Sequence, residues 1–301
     1  MKKIIRGALA LLLITLALPS QAAIRVLATT ADWGALTKEL GGDRVDVYTA
    51  TTAMQDVHRV EAKPSLVARA RTANLLVANG AEIEAAWLPV LLQESGNGRI
   101  QRGAPGYFET ASAVTLAEVP SKLDRALGDI HPLGNPHIHL DPRNVAAIAK
   151  ALTAKLSAID PAGSDYYAAR GADFGKRWTE ATGNWQAKAA PLRDVPVVIM
   201  HRDQVYLCRW LGMRELASIE PKPGLPPSAG YLGQLVTRLS ATPPKLILVN
   251  AYNDPKAAKW LSERVDAPVV VLPYSVGGSP AAKDLFGLFD DTIDKLLGAA
   301  K

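Results

Sequence analysis

Between Ile24 and Leu272 the chain alternates short apolar runs with amphipathic stretches. Ile24-Arg25-Val26-Leu27-Ala28-Thr29, Val45 to Thr49 and Asn74 to Ala78 read as strands. Asp32 to Leu40, closed by Gly41-Gly42, and Pro64 to Arg71 read as the helices between them. Near-continuous apolar strands separated by helices predict a parallel sheet covered on both faces, because a strand buried on both sides keeps no polar face. The pattern returns late in the chain, with strands over Val195 to Met200, Lys245 to Asn250 and Pro268 to Leu272. Asn253-Asp254-Pro255 supplies a cap and a first-turn proline for the helix that follows the second of these.

The middle differs. Ser164 to about Ala190 predicts one long helix with Tyr166, Tyr167, Phe174, Trp178 and Trp185 on its apolar side, ended by Pro191 and Pro196. At about 25 residues it would be roughly 38 Å long, the width of a lobe, so it reads as a strut between two halves. The expected layout is α/β, with an N-terminal lobe over 23–160, a connecting helix within 161–190 and a C-terminal lobe over 191–301.

The first 22 residues follow another rule. Lys2, Lys3 and Arg6 precede an apolar run from Ala8 to Ala17, and Ser20-Gln21-Ala22 ends in small residues. This is the layout of a secretory signal peptide cleaved after Ala22, and its apolar run is too short to span a bilayer. A periplasmic, unanchored product is expected, since a lipoprotein needs a cysteine at the cleavage site and the only cysteine is Cys208. A single cysteine excludes an intramolecular disulfide. Cys208 lies among Val205, Tyr206, Leu207, Trp210 and Leu211, and reads as a small buried hydrophobe. The formal net charge is +5, and the three leader cations leave +2 on the mature chain. That balance gives no electrostatic case for nucleic acid or an anionic membrane.

The candidate chemistry is histidine. The chain has five: His58, His131, His137, His139 and His201. A solitary histidine is usually a packing residue, but His58 and His201 each fall at or just beyond the C-terminal end of a strand, and the other three share a Gly/Pro-rich loop. Ligands of open α/β sheets bind at that edge. Neutral imidazoles can surround one cation without mutual repulsion, and they suit Zn, Cu, Fe and Ni. Ligands this far apart in sequence indicate a site assembled by the fold, unlike the close ligand pairs of a zinc finger. Glu61, three residues after His58, is a candidate acceptor for that ring if the two share a helical turn; the competing role is a carboxylate at a helix start. Asp141 before Pro142 reads as a helix cap.

His58-Arg59-Val60-Glu61-Ala62-Lys63-Pro64-Ser65 resembles the H-x-x-E-x-x-P-S segment of the zinc/manganese solute-binding proteins of ABC transporters. Asn135-Pro136-His137-Ile138-His139-Leu140-Asp141-Pro142 is similar to their P-H-x-W-L-D-P segment, and His201 heads a segment resembling H-x-A-F-x-Y. Ala73 to Gly80, Trp87-Leu88 and the loop from Glu220 to Pro227 extend the resemblance over nearly all of the mature chain. The resemblance implies two Rossmann-like lobes with parallel sheets joined by one rigid helix, and a metal held between them by His58, His137 and His201. It also implies delivery of Zn2+, or next Mn2+, to the membrane permease of an ABC importer by a monomeric, non-enzymatic carrier. An all-imidazole set leans toward zinc, because manganese prefers oxygen donors.

Two departures stand out. The family's last ligand is usually an aspartate in a turn such as T-D-S-I-G, where this chain reads Pro273-Tyr274-Ser275-Val276-Gly277. The His- and acid-rich loop of many zinc-specific members is missing too, since residues 117–136 hold only His131. A tetrahedral ion then needs a fourth donor. His131 is the first choice, ahead of His139, Tyr274 and a water. The rival functions are a zinc-dependent hydrolase, for which H-E-x-x-H and G-x-S-x-G are both lacking, and a binder of a metal chelate or haem on the same frame.

Overall fold

All strand pairing within the two sheets of the computed structural model is parallel; the structure describes residues 23–121 and 131–301. The signal peptide expected over 1–22 lies outside the described residues. The first sheet has the order β2-β1-β3-β4, from β1 (Ile24–Ala28), β2 (Val45–Thr49), β3 (Leu75–Ala78) and β4 (Tyr107–Glu109). The second repeats that order as β6-β5-β7-β8, from β5 (Pro196–Ile199), β6 (Arg214–Ser218), β7 (Leu246–Asn250) and β8 (Val269–Leu272). The inner strands β3 and β7 are buried at every position. That is why they read as unbroken apolar runs. The edge strands β4 and β6, short and half-solvated, carry Glu109, Arg214 and Glu215 and gave no such signal.

Helices α1 (Ala31–Gly41), α2 (Pro64–Thr72) and α3 (Leu88–Ser95) cover the first sheet, and α4 (Pro142–Ile159) leads into α5 (Ser164–Lys188). Helices α6 (Val205–Leu211), α7 (Ala229–Leu239), α8 (Lys256–Val265) and α9 (Leu285–Ala299) belong to the second half. Starts follow the side-chain chemistry: Thr30 accepts from the Trp33 amide at the head of α1, and Asp141 accepts from the Arg143 amide at the head of α4. Among the described residues no helix is long and apolar enough to cross a membrane.

The strut is α5, and it does more than span. Tyr167, Phe174, Trp178 and Trp185 are buried along it. The Trp178 indole donates to the Pro142 carbonyl at 2.8 Å, and the Trp185 indole donates to Asp290 on α9 at 2.7 Å. Trp185 stacks on Phe289, and Trp178 packs edge-on against Phe286. One apolar core therefore runs unbroken from Val26 and Trp33 in the first half to Phe289 and Leu296 in the second. Tyr166 is a correction to the expected apolar side: it is half-exposed, and its ring lies under the Arg170 guanidinium.

Candidate metal centre

The carboxyl ends of both sheets face one cleft, and the histidines occupy the loops there. His58 lies in the loop after β2, within a turn closed by Asp56. One Asp56 oxygen accepts from the His58 amide at 3.0 Å and sits 2.7 Å from ring Nδ1. A carboxylate only accepts, so Nδ1 carries the hydrogen and Nε2 presents a lone pair. Burial pushes the Asp56 carboxyl up, but the bonds and charge of His58 outweigh it and hold the group below its ordinary value.

His137 follows Asn135-Pro136 and precedes a short 3-10 turn over Ile138–Leu140. Its ring is buried, with Nδ1 2.9 Å from Asn135 Oδ1, and its Nε2 has no hydrogen-bond partner among the described residues. An unpartnered buried nitrogen normally costs about 1–3 kcal/mol, so its presence calls for an explanation. Burial, followed by the neighbouring His201, His58 and His131 rings, holds the His137 pKa well below 6.5.

His201 follows β5 with only Met200 between, in extended backbone, with Nδ1 2.6 Å from Glu220 Oε2 on the loop after β6. Burial alone would lower its pKa, yet the Glu220 bond and the charges of Asp203, Glu220 and Asp56 raise it. One ring nitrogen from each of His58, His137 and His201 lies within 4.8 Å of the others. With each Nδ1 held by an oxygen acceptor, the converging atoms are the Nε2 set.

His131 stands beside this cluster. Its Nε2 is 3.2 Å from His58 Nε2, and burial, then His58 and His201, push its pKa down to about 3. His139 does not join. The 3-10 turn after His137 rotates it away, and its Nε2 lies 3.0 Å from the Tyr274 carbonyl oxygen, with Asp32 at 4.0 Å. Tyr274 is buried at a left-handed φ of 65°, its ring 6.3 Å from that of His137. Burial, then Asp203, Asp32 and Asp56, raise its pKa well above 10, so the phenol stays neutral. The turn holding it is tight: Gly278 leaves no room for a Cβ against the Pro273 carbonyl oxygen.

Glu61 is exposed and makes no contact with His58, because residues 58–63 are not helical and the helix begins only at Pro64. Asp56 fills the role expected of it. Asp56, Asn135 and Glu220 are the partners that sequence reading missed. For Asp56 and Asn135 the signal was available: an acceptor two residues before a histidine in a loop, placed to close a turn on both its amide and its ring. Asp141 caps α4 and Cys208 is buried, as expected from their surroundings. A cavity of about 220 Å³ opens beside the cluster, lined by Glu118, Pro120, His131, His137, His201 and Pro223 among others.

Residues 26–299 match the family model for ZnuA, zinc-uptake complex component A, periplasmic. The chain is 22% identical over 269 residues to the high-affinity zinc uptake system protein ZnuA of Bacillus subtilis (strain 168), covering 88% of this chain and 82% of that protein. It is 26% identical over 147 residues to the manganese ABC transporter substrate-binding lipoprotein PsaA of Streptococcus mitis. That match covers 48% of this chain and 44% of PsaA, so the chain spans less than half the length of those relatives. A crystal structure of ZnuA superposes with a TM-score of 0.75 at 22% identity, over 93% of this chain and 100% of that one. The Cd-bound periplasmic metal binding protein from candidatus liberibacter asiaticus gives 0.75 at 18% identity, over 92% and 99%. These likenesses show a shared fold.

Proposed function

The chain belongs to the family of periplasmic zinc-uptake complex component A, and from that premise we propose that it captures a divalent transition metal for an ABC importer. The observation that carries this reading is the convergence of His58, His137 and His201, each with Nδ1 held by an oxygen acceptor, on one point where His137 Nε2 is buried without a partner. A cation supplies the missing partner. Carboxylates at Asp56 and Glu220 add negative charge just behind two of the rings, which favours a dication and orients its ligands.

The cargo is zinc ahead of manganese, since the converging donors are imidazoles. His131 serves as the fourth ligand. Two nitrogens about 2.0–2.1 Å from a tetrahedral zinc lie roughly 3.3 Å apart, and the His58–His131 separation of 3.2 Å fits that edge. The protein acts as a monomer outside the inner membrane and hands the ion to a membrane permease. A carrier suits the site better than a hydrolase, because Asp56 and Glu220 are committed to ring nitrogens and neither is free as a general base.

The test is elemental analysis of the protein purified from periplasm without chelator, followed by zinc and manganese calorimetry. One tightly held zinc per chain is the expected result. A chain that binds neither ion, or binds manganese more tightly than zinc, defeats the reading.

A further inference from the structure

Asn135 has every polar atom engaged. Its amide donates to the Ala117 carbonyl at 2.7 Å, and its carbonyl accepts from the Tyr206 hydroxyl at 2.7 Å. Side-chain Nδ2 donates to Glu118 Oε2 at 3.0 Å and to the Arg202 carbonyl at 2.8 Å. Oδ1 accepts from the His137 amide at 3.0 Å and faces its ring Nδ1 at 2.9 Å. Turned over, the amide would set its oxygen against a carboxylate and a carbonyl, and its NH2 against the His137 amide N–H. Neither contact would be a hydrogen bond. The donor end therefore faces Glu118, the acceptor end faces the ring, and the His137 hydrogen resides on Nδ1.

Glu118 is itself held. Arg202 Nε donates to its Oε2 at 3.1 Å, Arg202 Nη2 pairs with its Oε1, and Arg202 Nη1 reaches Glu215 at 2.7 Å. Its backbone sits at a left-handed φ of 54°, a conformation a non-glycine residue keeps only where its surroundings enforce it. Arg202 directly follows His201, so one carboxylate ties the His201 turn to the His137 turn.

We propose that Glu118 is a positioning residue for the metal site, setting the Asn135 amide so that His137 presents a bare Nε2 to the cluster. The inference rests on the assignment of His137 as a ligand. Of the two acceptors that orient the amide, the carboxylate is the stronger because it is charged.

The experiment uses Glu118→Gln, which keeps the side chain's shape, with Asn135→Ala and the double variant, in the full mature protein. Zinc affinity is read by chelator competition, and the His137 tautomer by imidazole 15N shifts in the metal-free protein. Glu118→Gln is expected to weaken zinc by about tenfold, the scale of such outer partners, and to populate the Nε2–H form. In the Asn135→Ala background the same change adds nothing, because the chain of contact is already cut. Unchanged 15N shifts in Glu118→Gln, or additive losses in the double variant, overturn the inference. Unchanged zinc affinity in His137→Ala overturns the ligand assignment instead, and the 15N result stands apart from it.

Discussion

Nε2 of His58 and Nε2 of His131 lie 3.2 Å apart although 73 residues separate them, and the segment carrying His131 belongs to neither sheet. At that separation the two rings either share one hydrogen, His131 donating to His58, or turn both lone pairs on one cation. His131→Ala is therefore expected to weaken zinc by about tenfold or more, and Tyr274→Phe to leave affinity unchanged. Competition titrations of the two variants decide it. A damaging Tyr274→Phe beside a silent His131→Ala would give the fourth position to the phenol.

Loss of His58, His137 or His201 to alanine should cost at least as much. Saturating zinc at a thousandfold excess over Kd should stabilise the wild-type fold by about 4 kcal/mol, a rise of several degrees in Tm. The alanine variants should lose most of that rise while melting normally without metal. Scanning calorimetry with and without zinc checks both halves, and superimposable wild-type curves would mean no tight site.

Acid should weaken the metal-free fold through the histidines. His137 and His131 are held below 6.5 by burial and by neighbouring rings, His131 at about 3. Unfolding returns each to about 6.5, so below that pH the unfolded chain binds more protons and stability falls as pH drops. Each ring contributes up to about 1.4 kcal/mol per pH unit. His201 has the opposite sign: its raised pKa gives stability that is fully present below 6.5 and lost as pH rises through its folded value. Below 6.5 its share is constant, and the slope belongs to the other two. Tm measured in chelator from pH 6.5 to 5 should fall, and more gently in His131→Ala. An identical slope in that variant refutes the assignment.

The halves are also clasped away from the histidines. Asp32, at the head of α1, accepts from the Ser275 hydroxyl at 2.7 Å and from the Val276 amide at 3.0 Å. Bonds to a buried carboxylate are worth about 1.5–3 kcal/mol each. Asp32→Ala is expected to destabilise the protein by about 3 kcal/mol in urea melts. A change under about 0.5 kcal/mol, the size of an ordinary surface substitution, would show that the clasp is incidental.

The parts legible in the sequence were those governed by periodicity or by placement. Buried strands such as Leu246–Asn250 cannot hide their pattern, and α5 showed its aromatic stripe. The loops bearing His58, His137 and His201 were visible because each follows a strand or a Gly/Pro turn. The edge strands β4 and β6 were not, since half-solvated backbone tolerates Glu109 and Arg214. His139 illustrates a subtler limit. It lies two residues from His137, and whether such a pair shares a face depends on the backbone between: extended, they would, but the 3-10 turn over Ile138–Leu140 sends His139 to the Tyr274 carbonyl. The partnership of His201 with Glu220 crosses from β5 to the loop after β6, and only the sheet order brings them together.

The shared core has a bearing on timing. Phe286 and Phe289, against which Trp178 and Trp185 pack, lie on α9, the last helix of the described fold. A chain emerging from its N-terminus can form the first sheet early, but the aromatic face of α5 stays uncovered until the final helix arrives. Contacts spanning more than a hundred residues also close slowly, because the loop entropy comes before the reward. Completion of the shared core therefore has to await the synthesis of α9.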